Sequence, residues 1–259
     1  MPNDEITNSS LPLTGKVAIV TGSGRGIGAA TATHLADLGA DVVVNYLNNA
    51  APAEEIRDRI HSIGRRATVV GADAGTQAGA ESLVAAARNE LGRLDILVSN
   101  AGPLFRPISL VDMTWDDFGG VVEQDLQAAF HSTKAVLPTM IANNSGRIIY
   151  IGSASAHNPT PGLAHHGSAR AGLRTFAAYV AKEMGQHGIT SNVVSPGMVR
   201  TDRTANAGDM TERMGAMTPA GRIATPDDVA RAVGFFAADA DGFYTGADFP
   251  VDGGLTAGR

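Results

Sequence analysis

The sequence predicts an α/β fold in which about seven parallel strands form one doubly wound sheet with helices on both faces. Two observations predict it. Short apolar runs rich in β-branched residues alternate with helical patterns of ten or more residues, and a glycine-rich turn joins the first strand to the first helix. Such alternation requires right-handed crossovers and a parallel sheet covered on both sides.

The first strand is Lys16 to Thr21, ended by Gly22. The first helix follows from Gly26 to Leu38, with Ile27, Leu35 and Leu38 recurring on one face and Gly39 placed as a C-cap. Further strands fall at Asp41 to Tyr46, Ala67 to Gly71, Leu94 to Ser99, Arg147 to Ile151, Thr190 to Val194 and Phe249 to Val251. Helical patterns between them cover about 52–64, 77–91, 114–142, 165–187 and 226–238. No composition shift or internal repeat divides the 259 residues, so residues 14–259 are expected to form one domain behind a loose tail of residues 1–13. The stretch from Arg200 to Pro219 reads as a mobile lid over a ligand or as a plain surface loop.

Formal charge is -6 with no Lys/Arg cluster, so the footprint of a nucleic-acid binder is missing. Cysteine is absent, which removes disulfides, thiolate metal sites and a Cys nucleophile, and no metal site is expected. No stretch approaches ~18 uninterrupted apolar residues, so no membrane span is expected. The first residues carry Asp4 and Glu5 and no basic or apolar signal region, which makes a cytoplasmic location the expectation.

Gly22-Ser23-Gly24-Arg25-Gly26-Ile27-Gly28 directly follows the first strand and opens the first helix. In that context glycines let the backbone approach a pyrophosphate, and the helix N-terminus supplies free N–H groups and the positive dipole end. Sites that prefer NAD place an Asp or Glu about 20 residues further on, against the ribose hydroxyls. At that strand end stand Asn45 and Tyr46, while Asp41 lies at the opposite end. A 2′-phosphate meets no carboxylate there and could pair with Arg25, so NADP(H) is favoured over NAD(H). The alternative leaves Arg25 as a solvated turn residue.

Further segments recur in an order that carries a family resemblance. They are Thr21-Gly22-x-x-x-Gly26-x-Gly28, Asp73-Ala74, Ser99-Asn100-Ala101-Gly102, Ser195-Pro196-Gly197-x-Val199-x-Thr201, and Thr245-Gly246 with Asp252-Gly253-Gly254. Together they resemble the short-chain dehydrogenase/reductase family, its 3-oxoacyl-reductase-like members in particular, over about residues 14–256. The resemblance implies that Asp73 meets the adenine, that Asn100, Ala101 and Gly102 line the dinucleotide, and that Pro196 to Thr201 flanks the nicotinamide.

It also implies a catalytic set of Asn, Ser, Tyr and Lys. Ser153, after Ile151-Gly152, takes the serine place. Thirteen residues on, where the family has Tyr-x-x-x-Lys, this chain reads His166-Gly167-Ser168-Ala169-Arg170, and Asp125 stands where the Asn is expected. Positions 166 and 170 share a helix face, whereas His165 is rotated about a quarter turn away. Arginine can anchor ribose hydroxyls but cannot relay a proton. An unperturbed histidine titrates near 6.5 and is a competent acid or base at neutrality. Arg170 should lower that value and a nearby Asp125 raise it.

Three readings stay open. One is hydride transfer between NADP(H) and a carbonyl or alcohol carbon of a small molecule, with Ser153 on the oxygen, His166 on the proton and Arg170 on the cofactor. Another is a non-redox dehydratase, isomerase or cyclase using His166, and the third is a catalytically silent pseudoenzyme. The long helices and the segment Thr245 to Leu255 resemble family surfaces that build homodimers and homotetramers.

Overall fold

A computed structural model describes residues 11–202, 204–205 and 208–258. Seven parallel strands run in the order β3-β2-β1-β4-β5-β6-β7. They are β1 (Val17–Val20), β2 (Asp41–Tyr46), β3 (Ala67–Gly71), β4 (Ile96–Ser99), β5 (Gly146–Ile151), β6 (Ile189–Pro196) and β7 (Asp248–Val251). The main helices are α1 (Gly26–Asp37), α2 (Ala51–Ser62), α3 (Gln77–Glu90), α4 (Trp115–Ala142), α5 (Ala164–Met184), α6 (Asp209–Met217) and α7 (Pro226–Ala237). Chain order reverses between β1 and β4, which makes the carboxyl ends of those strands the switch-point crevice where such sheets hold ligands.

Two apolar layers sandwich the sheet. One packs Leu35, Val42, Ile60, Val229 and Phe236 under α1, α2 and α7. The other packs Leu83, Val136, Met140, Tyr150, Leu173 and Val180 under α3, α4 and α5. Because both faces are covered, central strands such as β1 and β4 are buried along their whole length, which explains their unbroken apolar runs. Local chemistry marks the helix starts: Thr114 with Asp117 and Thr225 with Asp228 form capping boxes on α4 and α7.

Three departures from the sequence reading are informative. Residues 1–10 of the expected tail lie outside the described residues, but Leu13 is packed in the core and its N–H donates to the Leu38 carbonyl. Strand β6 runs past Val194 to Pro196, because β7 pairs with Val193 through Pro196. The stretch read as lid or loop contains α6, which starts after Gly208 at φ +43°; Arg203, Asn206 and Ala207 in it lie outside the described residues. Among the described residues no helix is long and apolar enough to cross a membrane.

Candidate active site

The glycine turn and the end of β4 are built as one unit. Thr21 Oγ1 accepts from the backbone N–H groups of Asn100 and Ala101, and the Asn100 amide donates to the carbonyls of Thr21 and Gly22. Gly22 and Gly26 take positive φ of 63° and 58°. A Cβ on Gly28 would lie 2.4 Å from the Gly22 carbonyl oxygen, so no other residue fits there without movement. Arg25 precedes α1 without a side-chain cap, and the first turn of α1 holds no acid, which leaves N–H groups and dipole free for an anion. The cradle therefore fits a pyrophosphate. Thr201 closes its far side against Gly26, with Val199 buried behind it. The Gly197 N–H is tied to the Val251 carbonyl at 3.2 Å.

The ribose end is different from what the sequence suggests for Asn45. That side chain is buried: its oxygen accepts from the Gly22 N–H, and its nitrogen donates to the carbonyls of Tyr46, Val70 and Ala72. It braces the glycine turn from beneath instead of facing a ribose. Ser23 is equally enclosed, donating to the Val20 carbonyl and accepting from the Asn45 N–H. The Tyr46 ring lies against Gly71. Asp41 is held by Arg65 and Arg66 at the far end of β2. Asp73 is exposed and accepts from the Gly75 N–H, and the adjoining Ala74 is buried.

Ser153 caps a short 3-10 turn, Ala154–Ala156, that leaves the end of β5. Its hydroxyl accepts from the Ser155 N–H and shares a 2.9 Å hydrogen bond with the Ser155 hydroxyl. Helix α5 packs on this turn through Gly167, where a Cβ would come within 3.1 Å of the Ser155 carbonyl oxygen. One turn later, Arg170 donates from Nη1 to the Ile151 carbonyl at 2.6 Å and pairs through Nη2 with Asp125 Oδ1 at 3.2 Å. Gly102 seats directly on that ion pair, since a Cβ there would lie 2.8 Å from Asp125 Oδ1 and 3.0 Å from Arg170 Nη2. The structure thus joins the cradle, the Asp125–Arg170 pair and the Ser153 turn into one contiguous site.

His166 lies on α5 and keeps 9% of its surface exposed. Its ring stacks on Phe105 with centroids 4.1 Å apart. Burial first, then the charge of Arg170, then His165 push its pKa down to about 3. The expectation of a histidine titrating near neutrality is therefore corrected: the imidazole is neutral across the physiological range. Nδ1 is buried with no hydrogen-bond partner among the described residues, and placing the proton on Nε2 leaves only a lone pair unpaired there. His165 is committed elsewhere, accepting from the His166 N–H and facing the Arg106 carbonyl through Nε2. For Asp125, burial raises the pKa and Arg170 pulls it partly back. Asp125 Oδ2 and Arg170 Nε, like His166 Nδ1, are buried with no partner among the described residues.

Phe105 was visible in the sequence only as part of an irregular stretch. No local pattern marks it, because its contact with His166 crosses 61 positions of chain and depends on how the β4–α4 connection folds back over α5.

Comparisons with known proteins agree with this fold. Residues 22–256 match the family model described as enoyl-(acyl carrier protein) reductase. A 3-oxoacyl-(acyl-carrier-protein) reductase of Synechocystis sp. is 38% identical over 244 residues, covering 94% of this chain and 98% of the relative. A cyclohexanol dehydrogenase of Rhodococcus sp. is 37% identical over 270 residues, covering 95% and 98%. Among solved structures, a doubly substituted short-chain dehydrogenase/reductase of Serratia marcescens superposes with a TM-score of 0.89 at 33% identity, covering 95% of this chain and all of the other. This chain belongs to the short-chain dehydrogenase/reductase family of oxidoreductases.

Proposed function

We propose that the protein moves hydride between NADP(H) and the carbonyl or alcohol carbon of a small molecule, with Ser153, His166 and Arg170 serving in place of the usual Ser, Tyr and Lys. The observation that carries this reading is the neutral, nine-tenths buried His166 on the helix face that also holds Arg170, packed beside the Ser153 turn. When bound, the nicotinamide supplies or takes the hydride. Ser153 donates a hydrogen bond to the substrate oxygen. His166, neutral with its proton on Nε2, donates a second and acts as a preorganised dipole, not as a charged acid, so water delivers the solvent proton that turns the alkoxide into the alcohol, or takes it up in the reverse direction. Arg170 holds a fixed positive charge near the developing oxyanion, and Asp125 fixes its position.

Preference for NADP(H) rests on Arg25, which is exposed and makes no ion pair among the described residues, and on the lack of any carboxylate from Val42 to Ala53. Relatives named for 3-oxoacyl carriers and for cyclohexanol make 3-oxoacyl thioesters and cyclic ketones the first substrates to try. One domain, which takes in Leu13 at its start, carries the whole site, and its place of work is the cytoplasm. Leu126, Phe130, Gly172 and Phe176 line an apolar cavity of about 400 Å³ on the α4–α5 face. Phe235 and Phe249 line a second cavity, beside β7. These faces support assembly into a homodimer or homotetramer. The reading is tested by titrating NADPH and NADH by fluorescence, then following absorbance at 340 nm with 3-oxoacyl thioesters and cyclic ketones. Tight NADPH binding with carbonyl-dependent oxidation supports it; conversion of a substrate at constant 340 nm absorbance would replace it with the non-redox reading.

A further inference from the structure

Away from the cradle, one carboxylate gathers donors from three elements of the site. Asp248 opens the edge strand β7, opposite Val193 of β6. Its Oδ1 accepts from the Ser195 hydroxyl at 2.6 Å, and its Oδ2 from His157 Nε2 at 2.7 Å, with Arg174 Nε at 3.3 Å. The Asp248 side chain keeps 11% exposure, while its partners His157 and Arg174 keep 29% and 55%, so the carboxylate is enclosed and its nitrogen partners face outward.

Each donor belongs to an element that carries a site residue. His157 ends the 3-10 turn that Ser153 begins, and its N–H donates to the Ala154 carbonyl. Ser195 immediately precedes Pro196 and Gly197, and its hydroxyl packs on Gly152, where a Cβ would come within 2.5 Å of Oγ. Arg174 lies one turn beyond Arg170 on α5.

We propose that Asp248 is a positioning residue: through His157 and Ser195 it fixes the turn that presents Ser153, and through Arg174 it locks that turn to the helix carrying His166 and Arg170. Asp248 touches neither substrate nor cofactor. Its effect reaches the chemistry through the direction of the Ser153 hydroxyl, so the inference rests on the oxygen-binding role given to Ser153 above.

The test uses the full chain and three variants, His157→Ala, His157→Gln and Asp248→Asn. Hydrogen exchange read residue by residue needs no substrate. Amides of Ser155, Ala156 and His157 are expected to exchange roughly tenfold faster in His157→Ala and Asp248→Asn, with the melting temperature little changed, and to return toward wild type in His157→Gln, whose amide can still donate. With NADPH and a 3-oxoacyl thioester, kcat should fall about tenfold in the first two variants, with the NADPH dissociation constant unchanged and recovery in His157→Gln. Unchanged exchange at the turn overturns the proposal. So does an even rise in exchange across the chain with a lower melting temperature, or faster turn exchange with kcat intact. If the wild type oxidises NADPH with no carbonyl, the functional reading fails, while the exchange experiment still decides whether Asp248 holds the turn.

Discussion

The rings of His166 and Phe105 lie nearly parallel, 20° between planes and 4.1 Å between centroids. This stack covers one face of the imidazole on the catalytic face of α5, whose charged form is disfavoured first by burial and then by the charge of Arg170. Phe105→Ala should therefore admit water to His166 and raise its pKa from about 3 toward 6.5, read by NMR titration of the ring proton. No movement would mean that Phe105 is not what shields the ring.

The same shift predicts a pH-dependent stability. Because the folded pKa lies below the unfolded one, the unfolded chain binds the extra proton between about 6.5 and about 3, and stability falls as pH falls through that window. The slope from one group is about 1.4 kcal/mol per pH unit. Asp125 acts oppositely: its raised pKa means that stability falls as pH rises above 3.8 toward the folded value. Subtracting the His166→Phe denaturation series from wild type isolates the histidine. A flat difference curve between pH 4 and 6 contradicts the assignment.

Arg170 and Asp125 form a buried pair, so removing one partner should be costly. Arg170→Met is expected to destabilise by about 3–5 kcal/mol by leaving an uncompensated carboxylate. Adding Asp125→Asn should restore part of that loss, giving a double-mutant coupling of about 0.5–3 kcal/mol. Additive losses in urea denaturation would show that the 3.2 Å contact is not energetically coupled.

At the cradle, NADPH at ~100-fold over its dissociation constant should stabilise the fold by roughly 2.7 kcal/mol. Gly28→Ala drives a methyl toward the Gly22 carbonyl and the Asn100 amide. It should cost about 1–3 kcal/mol and erase the NADPH-dependent melting shift. A Gly28→Ala chain that melts and binds as the wild type does would remove the cradle from the account.

Much of this was legible in the chain itself. Apolar runs such as VAIV and ILVS announce doubly covered strands, and glycines at 22, 26 and 28 announce the turn. The role of Asn45 was not legible, because its partners at Gly22, Val70 and Ala72 come from two other segments and make it a brace for the glycine turn. The ionisation of His166 was hidden for a like reason: residue type gives the intrinsic pKa, but burial under Phe105 and the charge of Arg170 set the actual one. Helix α6 escaped detection because it is only nine residues long and buries no large apolar side chain, Gly215 being its one buried residue.

Light scattering at micromolar concentration should show a dimer or tetramer. Phe130→Asp, which places a charge in the α4–α5 cavity, should shift the mass downward. A wild-type monomer rules the assembly out.

The central claim is that a neutral His166 assists hydride transfer on this frame, and carbonyl-dependent NADPH oxidation measured from pH 5 to 8 tests it most directly. The wild-type kcat should show no limb assignable to His166 in that range. His166→Phe should lower kcat by about 10²–10⁴ while the NADPH dissociation constant stays unchanged. A wild-type limb near pH 6 to 7 that vanishes in His166→Phe would contradict the neutral imidazole, and undiminished turnover in His166→Phe would contradict its catalytic role altogether.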